Sequence, residues 1–394
     1  MLRHIVLKTF AAAVLCACAT FEEPGSLDVS AGGAGKDGLR TIAALADGGF
    51  ILAGWRDQTK PGHVGVGYLV NIAPDGSVRW DKDIVTNGEN RVSNVIELED
   101  GRLVIVVEEY PIADDPGQAV IMELSARGDI QRKKAIGGPG PDLIEVMRRA
   151  PDGGFMFAGE SAPSNDGDYQ GWIGKLSADY EIEWEHRIGE PTSPDVFQDL
   201  AMTPDGAVIG VGMLNEHSTD SENPARPWAA KITAAGEVAW TQIVTSGDLF
   251  ALRGVVAMAN GDVAVTGYSR KWDIGEYDSW IGVLSSDGEV VWGKELTYAG
   301  FDQLIALEPT EDGRFMTVGA RKVDDGDFDV LLVRFSTDGD EVTAYQHRKP
   351  GRQFGRAVRP LRGDSVAVGG FDNQGEPMGQ QLWFLKTSMT GADQ

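Results

Sequence analysis

The chain has 394 residues, of which 42% are hydrophobic and 24% are charged, a composition typical of globular proteins. The formal net charge is −25. Nucleic acids and anionic membrane surfaces present phosphates that Lys and Arg must neutralise. The charge therefore argues against either as the main partner, whereas cationic partners and metal ions stay open. The length alone usually indicates two or three domains, but the repeats below favour one.

The N-terminus has the features of an exported lipoprotein. A basic start, MLRHIVLK, precedes an apolar run at 10–17, which is too short to span a bilayer and is typical of a signal peptide. The end of that run, LCAC at 15–18, resembles the bacterial lipobox. The resemblance implies that residues 1–17 are removed, that Cys18 carries fatty acyl chains such as palmitate, and that residues 18–25 form a tether. The alternative is an ordinary secretory signal with incidental cysteines.

The cysteine count bears on the compartment and the chemistry. Cys16 and Cys18 are the two cysteines of the chain, so a mature protein beginning at Cys18 would have neither a disulfide nor a thiol catalyst. Ala19 follows, where inner-membrane lipoproteins of enteric bacteria have Asp. By that resemblance we expect an exported protein anchored in the bacterial cell envelope, with the outer membrane favoured over the inner and the lipid as its membrane contact.

One turn recurs along the whole chain. Asp-Gly and Asn-Gly pairs favour tight hairpins because the turn needs positive φ. Such a turn lies between two short apolar segments, RTIAAL and FILAG in the first case, and it returns about every 50 to 55 residues. The seven turns are Asp47-Gly48, Asp100-Gly101, Asp152-Gly153, Asp205-Gly206, Asn260-Gly261, Asp312-Gly313 and Arg362-Gly363.

A second hairpin follows each of the first six. Its strands include GYLVNI and GWIGKL, and in four units its second strand carries Trp80, Trp184, Trp240 or Trp292. Each unit therefore has four strands, A to D, in about 52 residues, and seven units are counted. This pattern predicts an all-β fold, a single seven-bladed β-propeller of four-stranded antiparallel blades. Tryptophans at one place in successive units are expected to pack between blades.

The last unit lacks its fourth strand. It ends with the C strand LWFLKT, whereas SLDVSAGG at 26–33 aligns with the D strand QRKKAIGG at 131–138. We expect residues 26–31 to complete blade 7, because closure removes exposed sheet edges. The predicted propeller spans 26–388, followed by a C-terminal tail at 389–394.

These Asp-Gly…Trp repeats over residues 26–387 resemble the quinoprotein-like (PQQ-type) β-propeller superfamily and its bacterial lipoprotein relatives. Quinoprotein dehydrogenases of that superfamily use a calcium-held quinone and often a vicinal disulfide. The mature chain has no cysteine pair and seven units rather than eight, so no redox cofactor is expected. Outer-membrane assembly lipoproteins of this fold are the closer analogy.

The connections separate two faces of the ring. The A–B and C–D turns are tight, whereas the B–C and D–A connections are longer and share the other face, which we call the loop face. Variable loops on a regular scaffold usually carry function, and 213–226 is the longest. The candidate binding residues in these loops are Trp55, His217, Trp272, Asp273, Asp278, Asp325 and Asp327.

Calcium is an open alternative for the acidic loops. Oxygen ligands at alternate positions around a Gly, as in VDDGDFDV at 323–330, suit this ion, but the loops lack a complete EF-hand pattern. The competing interpretation is a set of Asp-Gly turns with solvated carboxylates.

A second acidic set depends on register. A polar residue precedes five of the seven A–B turns by ten positions, so that it would enter strand A near the mouth of the central channel. These residues are Asp37, Asn90, Asp142, Asp195 and Asp302, with Asp248 added if unit five has a two-residue insertion. They could hold a cation or a basic partner, or they could form an Asx turn that repeats with the fold.

Signals of catalysis are weak. The five histidines lack metal-ligand spacing, and neither a Gly-x-Ser-x-Gly elbow nor a phosphate-binding Gly loop is found; His217 beside Glu216 is the best acid–base candidate. We therefore expect a non-catalytic envelope lipoprotein that holds a protein partner on its loop face. The alternative is a propeller that binds or processes glycans, with or without calcium.

Overall fold

The computed structural model describes residues 19–20, 27–32, 35–57, 65–86, 88–110, 117–164, 168–190, 193–216, 218, 224–271, 276–298, 300–323, 326–373 and 380–389. Over these ranges the regular structure is 29 β-strands. The same ranges contain no helix that could cross a bilayer. The chain is all-β, as its sequence predicts.

Five units are separate four-stranded antiparallel sheets, each formed by consecutive strands A to D. Blade 1 has β3 (Gly38–Ala44), β4 (Phe50–Arg56), β5 (Val66–Ile72) and β6 (Val78–Ile84). Blade 2 has β7 (Asn90–Glu97), β8 (Leu103–Glu109), β9 (Ala119–Leu124) and β10 (Ile130–Ile136). Blade 3 has β11 (Asp142–Arg149), β12 (Phe155–Ser161), β13 (Gln170–Leu176) and β14 (Ile182–Ile188).

The next two blades repeat the arrangement. Blade 4 has β15 (Val196–Met202), β16 (Val208–Leu214), β17 (Arg226–Ile232) and β18 (Val238–Ile243). Blade 5 has β19 (Leu249–Ala257), β20 (Val263–Lys271), β21 (Glu276–Leu284) and β22 (Val290–Leu296).

The remaining strands form one larger sheet that contains blades 6 and 7. Blade 6 has β23 (Asp302–Pro309), β24 (Phe315–Lys322), β25 (Phe328–Phe335) and β26 (Val342–His347). Blade 7 has β27 (Arg352–Pro360), β28 (Ser365–Asn373), β29 (Gln380–Ser388) and the N-terminal β2 (Leu27–Ala31). One parallel pair, Phe328 with Arg352, joins the two blades, and the short β1 (Ala19–Thr20) adds to β26.

The fourth strand of blade 7 comes from the other end of the chain. β2 pairs antiparallel with β29, from Leu27 opposite Lys386 to Ala31 opposite Leu382. The Trp383 indole N–H donates to Asp28 Oδ1 over 2.7 Å. β2 therefore pairs at the edge of blade 7 where the alignment with other D strands predicts a strand.

Tight turns form where the sequence predicts them. Gly48 has φ 83° and Gly153 has φ 89°, values that favour glycine because it has no Cβ. Asp47 Oδ1 accepts the Gly49 amide over 2.9 Å, which explains the Asp before the Gly. Blade 3 departs from the pattern at its C–D turn, where Tyr180 takes φ 62°.

The core lies between blades. One apolar cluster fills the space between each pair of neighbouring blades, including blades 7 and 1, where Leu39 and Phe50 pack with Leu382 and Phe384. The D-strand tryptophans cover the next blade: Trp80 Nε1 donates to Ala126 O over 3.3 Å and Trp292 Nε1 to Thr337 O over 2.9 Å. The prediction that they pack between blades is confirmed.

Candidate functional site: the central channel and its loop-face mouth

Every A strand carries a β-bulge at the same place. A bulge leaves one residue unpaired, bends the strand and redirects that side chain. The seven bulged residues, one in each blade, are Arg40, Ser93, Glu145, Gln198, Arg253, Ile305 and Arg356. All seven line one cavity of about 330 Å³ at the centre of the ring, a size within the range of small-molecule sites.

A glycine on strand B accommodates the bulge in six of the seven blades. A Cβ at Gly54 would overlap the carbonyl oxygen of Gly38, and a Cβ at Gly370 would overlap that of Phe354. Gly159, Gly212, Gly267 and Gly319 have equivalent clashes, whereas blade 2 has Val107 at this position. Each bulged residue precedes the strand-B residue of its blade by fourteen positions, as Arg40 precedes Gly54. The glycines that end FILAG and its counterparts were the signal that could have located the channel lining.

Charges concentrate in the layer of the bulges. Glu145 forms an ion pair with Arg40 and lies 3.4 Å from Arg91. Arg91 also forms an ion pair with Glu108. Burial tends to raise the pKa of the Glu145 carboxyl, but the surrounding arginines outweigh it and the pKa falls. For Glu108, burial is the larger effect and raises the pKa. The carboxylates of Glu145 and Glu108 are thus paired with Arg40 and Arg91.

Arg253 and Arg356 differ from Arg40 and Arg91. Within the described ranges, neither side chain makes an ion pair or a hydrogen bond. The Arg356 guanidinium lies over the Phe371 ring, 5.9 Å from its centroid. Burial and the like charges of Arg40, Arg253 and Arg91, opposed by Glu145, lower the pKa of Arg356 to about 9. The Glu145 carboxylate attracts both Arg253 and Arg356, but its ion pairs are with Arg40 and Arg91.

The deeper part of the channel is charge-balanced. Arg148 lies 2.9 Å from Asp199 and donates to the Leu200 carbonyl over 2.8 Å. Arg359 forms an ion pair with Glu308. Each pair links the A strands of neighbouring blades, so these charges hold the inner wall together rather than remain available to a ligand.

Seven aromatic rings form a continuous row at the loop-face end of blades 5 to 7, which we call the aromatic arc. Its members are, in order of contact, Tyr268, Phe250, Tyr277, Phe301, Phe328, Phe354 and Phe371, with consecutive centroids 4.7 to 6.1 Å apart. Phe250 is buried and the other six are half-buried. Arg270 and Arg352 lie over rings of the arc, and Arg356 connects it to the channel.

Two predicted binding residues lie near this mouth. Trp55 is half-buried and its ring covers Gly38, the residue opposite it in strand A. It occupies the same register as Glu160, Tyr268 and Phe371 in other blades. Asp278 is buried and forms an ion pair with Lys271.

The other predicted loop residues are dispersed or lie outside the description. Asp327 is exposed, and its carbonyl accepts the Val323 amide. Cys18, His217, Trp272, Asp273 and Asp325 lie outside the described residues.

The predicted acidic ring occupies a buried layer beside the loop face. Asp37, Asn90, Asp142, Asp195 and Asp302 are fully or almost fully buried, and none of them is among the residues that line the described cavity. Asp37 Oδ1 accepts the Asp57 amide and Asn90 Oδ1 the Gly67 amide, each over 2.8 Å. Asp195 accepts amides from Glu190 and Asn215. These bonds join each side chain to the amide of a connection remote in sequence, so they are not Asx turns but contacts that fix neighbouring connections.

Blades 5 and 7 depart from that acidic ring. Asp248 is exposed, because a second bulge between Leu249 and Ala251 shifts the register and places Phe250 at the equivalent position. In blade 7 the position belongs to Gln353, which donates to Asp372 over 3.0 Å. The equivalent positions in these two blades thus hold Phe250 and Gln353 instead of an acidic residue.

The described residues contain no group of three or more His, Cys, Asp and Glu side chains arranged to hold a metal ion. Several acidic loop positions, such as Asp273 and Asp325, lie outside them. Calcium therefore stays a prediction for those loops.

The chain matches no protein-family profile, and no curated protein matches its sequence. Solved structures do resemble it. The fold is that of a β-propeller. The WD40 domain of Neurospora crassa Pan2 aligns with a TM-score of 0.53 at 9% identity, over 89% of each chain. YCF48 bound to a D1 peptide aligns with a TM-score of 0.54 at 14% identity, over 95% of this chain and all of the other.

A puromycin hydrolase mutant complexed with PGG aligns with a TM-score of 0.57 at 11% identity, over 96% of this chain. This chain spans 56% of the hydrolase's length. A likeness at such identities establishes the fold, whereas function depends on the site.

Proposed function

We propose that this chain is a non-catalytic binding protein of the bacterial cell envelope, which holds a protein partner on its loop face. The observation that carries the proposal is the aromatic arc of blades 5 to 7. Aromatic side chains and Arg are enriched at the energetically dominant positions of protein interfaces. Here six half-buried rings lie in mutual contact, with Arg270 and Arg352 over them. A row of this kind offers rigid apolar area that needs little further ordering on binding.

The proposal includes the architecture and the location predicted from the sequence. The pairing of β2 with β29 supports a seven-bladed ring closed by the N-terminal strand, in the manner of the PQQ-type propellers. Lipidation of Cys18 would hold this ring at the outer membrane. A Cys18→Ser variant should then appear in the soluble fraction, and unchanged membrane fractionation would contradict the anchor.

A glycan is the second candidate, and the same arc favours it because the accessible faces of half-buried rings can also stack on sugar rings. The composition at the arc favours a protein partner, because arginines that stack on rings are typical of protein interfaces. A melting experiment separates the two: stabilisation of several degrees by calcium over chelator supports the glycan alternative, because a ligand that binds the native state raises its stability.

The test of the main proposal is an affinity pull-down of the tagged, anchored protein from crosslinked envelopes, read by mass spectrometry. A Phe328→Ser/Phe354→Ser variant removes the centre of the arc. A second variant replaces 217–223 with a Gly-Ser linker and keeps Leu214 and Ala225, which are buried. We expect one stoichiometric partner with the native chain and its loss with the arc variant.

The matched control is Val291→Ser, which removes an exposed apolar side chain (57% exposed) from the outer strand of blade 5. It should retain the partner. Equal recovery with the arc variant and the control would exclude the arc as the binding surface. Absence of any enriched protein would turn the search to polysaccharides.

A further inference from the structure

We propose that the central channel binds a small free polyanion, a molecule with two or more carboxylate or phosphate groups, between Arg253 and Arg356. This site lies inside the ring and does not depend on the proposed protein partner.

The first step is the placement of the arginines. Three of the seven bulged residues are Arg, although the whole chain has a net charge of −25. Bulged positions are the ones the backbone directs into the cavity. A cationic cavity wall in an acidic protein is therefore a local feature that the overall composition does not explain.

The second step is the balance of charge. Arg40 and Arg91 are paired with Glu145 and Glu108. Among the described residues, neither Arg253 nor Arg356 has an ion-pair partner, although the Glu145 carboxylate attracts both. Arg253 and Arg356 are half-buried, and a partly desolvated charge without an ion pair is characteristic of functional sites, where a ligand supplies the opposite charge.

The third step concerns Glu160 and Glu216, two further acidic residues near this layer, of which Glu216 accepts a hydrogen bond from the bulged Gln198 over 3.2 Å. Burial and the neighbouring Glu145 and Glu216 raise the pKa of the Glu160 carboxyl well above its usual range. That shift favours the neutral acid, so that Glu160 offsets the positive charge of the arginines less than an ionised carboxylate would. The layer of the bulges is therefore more favourable to an oxyanion than its number of acidic residues indicates.

The fourth step is shape. A guanidinium presents its N–H groups in a planar fork that matches carboxylate and phosphate oxygens. The Phe371 ring lies against Arg356 and limits its orientations. A cavity of about 330 Å³ accommodates a compact molecule with several anionic groups, and the deeper pairs Arg148–Asp199 and Arg359–Glu308 already satisfy their own charges.

The experiment is isothermal titration calorimetry with citrate and, separately, inorganic phosphate, at constant ionic strength set by sodium chloride. Thermal melting of the same samples gives a second readout. We expect saturable binding to the native chain and a rise in melting temperature. Arg253→Gln and Arg356→Gln should each weaken binding at least tenfold. Arg356→Lys keeps the positive charge but loses the planar fork of N–H groups. Its affinity should therefore fall between that of the native chain and that of Arg356→Gln.

The matched control is Arg362→Gln, which removes an exposed arginine at the A–B turn of blade 7, on the face opposite the mouth. It should bind like the native chain. Absence of binding at millimolar concentrations of either anion would overturn the proposal, as would equal binding by native chain and channel variants.

Melting of the free proteins ensures that a folding defect is not mistaken for a binding defect. Because Arg356→Gln removes a half-buried charge that has no ion-pair partner among the described residues, its free form should melt at the same or a higher temperature than the native chain. A lower melting temperature would show that Arg356 is structural and would also overturn the proposal. The Phe328→Ser/Phe354→Ser variant should retain anion binding, so that failure of the partner proposal is distinguishable from failure of this one.

Discussion

Arg40 of blade 1 and Glu145 of blade 3 form an ion pair within the central channel, although their blades are not neighbours. Both residues are the bulged residues of their A strands. Glu145 also lies 3.4 Å from Arg91 of blade 2. One carboxylate therefore connects three blades, and it is the main counter-charge in a layer that contains four arginines.

Replacing Glu145 tests that role. Glu145→Gln should lower the free energy of unfolding by about 3 to 5 kcal/mol, the usual result when one member of a buried ion pair is removed. Urea denaturation followed by tryptophan fluorescence measures it. Glu181→Gln removes a carboxylate that pairs with Lys134 but is 75% exposed, and it should cost less than about 1 kcal/mol. Equal effects would mean that Glu145 has no special role.

The glycine opposite each bulge allows a second test. Gly319→Ala should destabilise the protein by about 1 to 3 kcal/mol, the usual cost of inserting a group into a packed site, because the new Cβ would overlap the Gln303 carbonyl oxygen. Gly138→Ala is the matched control, since its Cβ would come no nearer than 3.8 Å to another heavy atom. A native-like melting temperature for Gly319→Ala would show that the bulge relaxes easily.

The fold was more accessible from the sequence than the site. Turn chemistry depends on local residues, so that Asp47-Gly48 and its counterparts predict the hairpins directly. The fourteen-residue offset between Arg40 and Gly54 was also present in the sequence. It identifies Arg40 as a channel residue only once the β-bulge is known, and the bulge depends on tertiary packing. Without it, Asp37 and its equivalents appeared to be the channel residues, whereas the structure places their side chains against loop amides.

The contacts between rings of the aromatic arc could not be predicted from the sequence either. Phe301 and Phe354 belong to different units and are 53 residues apart in the sequence, yet each contacts Phe328. Repeat position predicts equivalent places in separate blades, but it does not predict which side chains of those blades touch. The arc therefore required the three-dimensional packing.

Asp302 makes stability depend on pH. Burial, opposed by Arg321 and reinforced by Asp278, raises the pKa of its carboxyl from 3.8 to about 8. The folded state therefore holds a proton that the unfolded state has lost between these pH values, and the contribution of Asp302 to stability falls as pH rises through that window. Asp302→Asn should stabilise the protein at pH 8 and have little effect at pH 4.

Urea melts of both proteins at pH 4, 6 and 8 measure the difference. The matched control is Asp327→Asn, because Asp327 is exposed on the same blade and should show no such trend. A difference between Asp302→Asn and the native chain that is constant across pH would contradict the raised pKa.

The N-terminal strand offers the last test, which concerns how the ring is held. Removing residues 27–31 would expose the edge of β29 and leave the Trp383 indole N–H without the Asp28 carboxylate. An exposed sheet edge promotes aggregation, so the truncated chain should melt at a lower temperature and aggregate. A circular permutant that carries SLDVSA after residue 389 should recover the native melting temperature, whereas one with DSDGSG in its place should not, because it lacks the Leu27, Val29 and Ala31 side chains. If truncation left the melting temperature unchanged, blade 7 would be stable with three strands and the ring would not depend on its N-terminal strand.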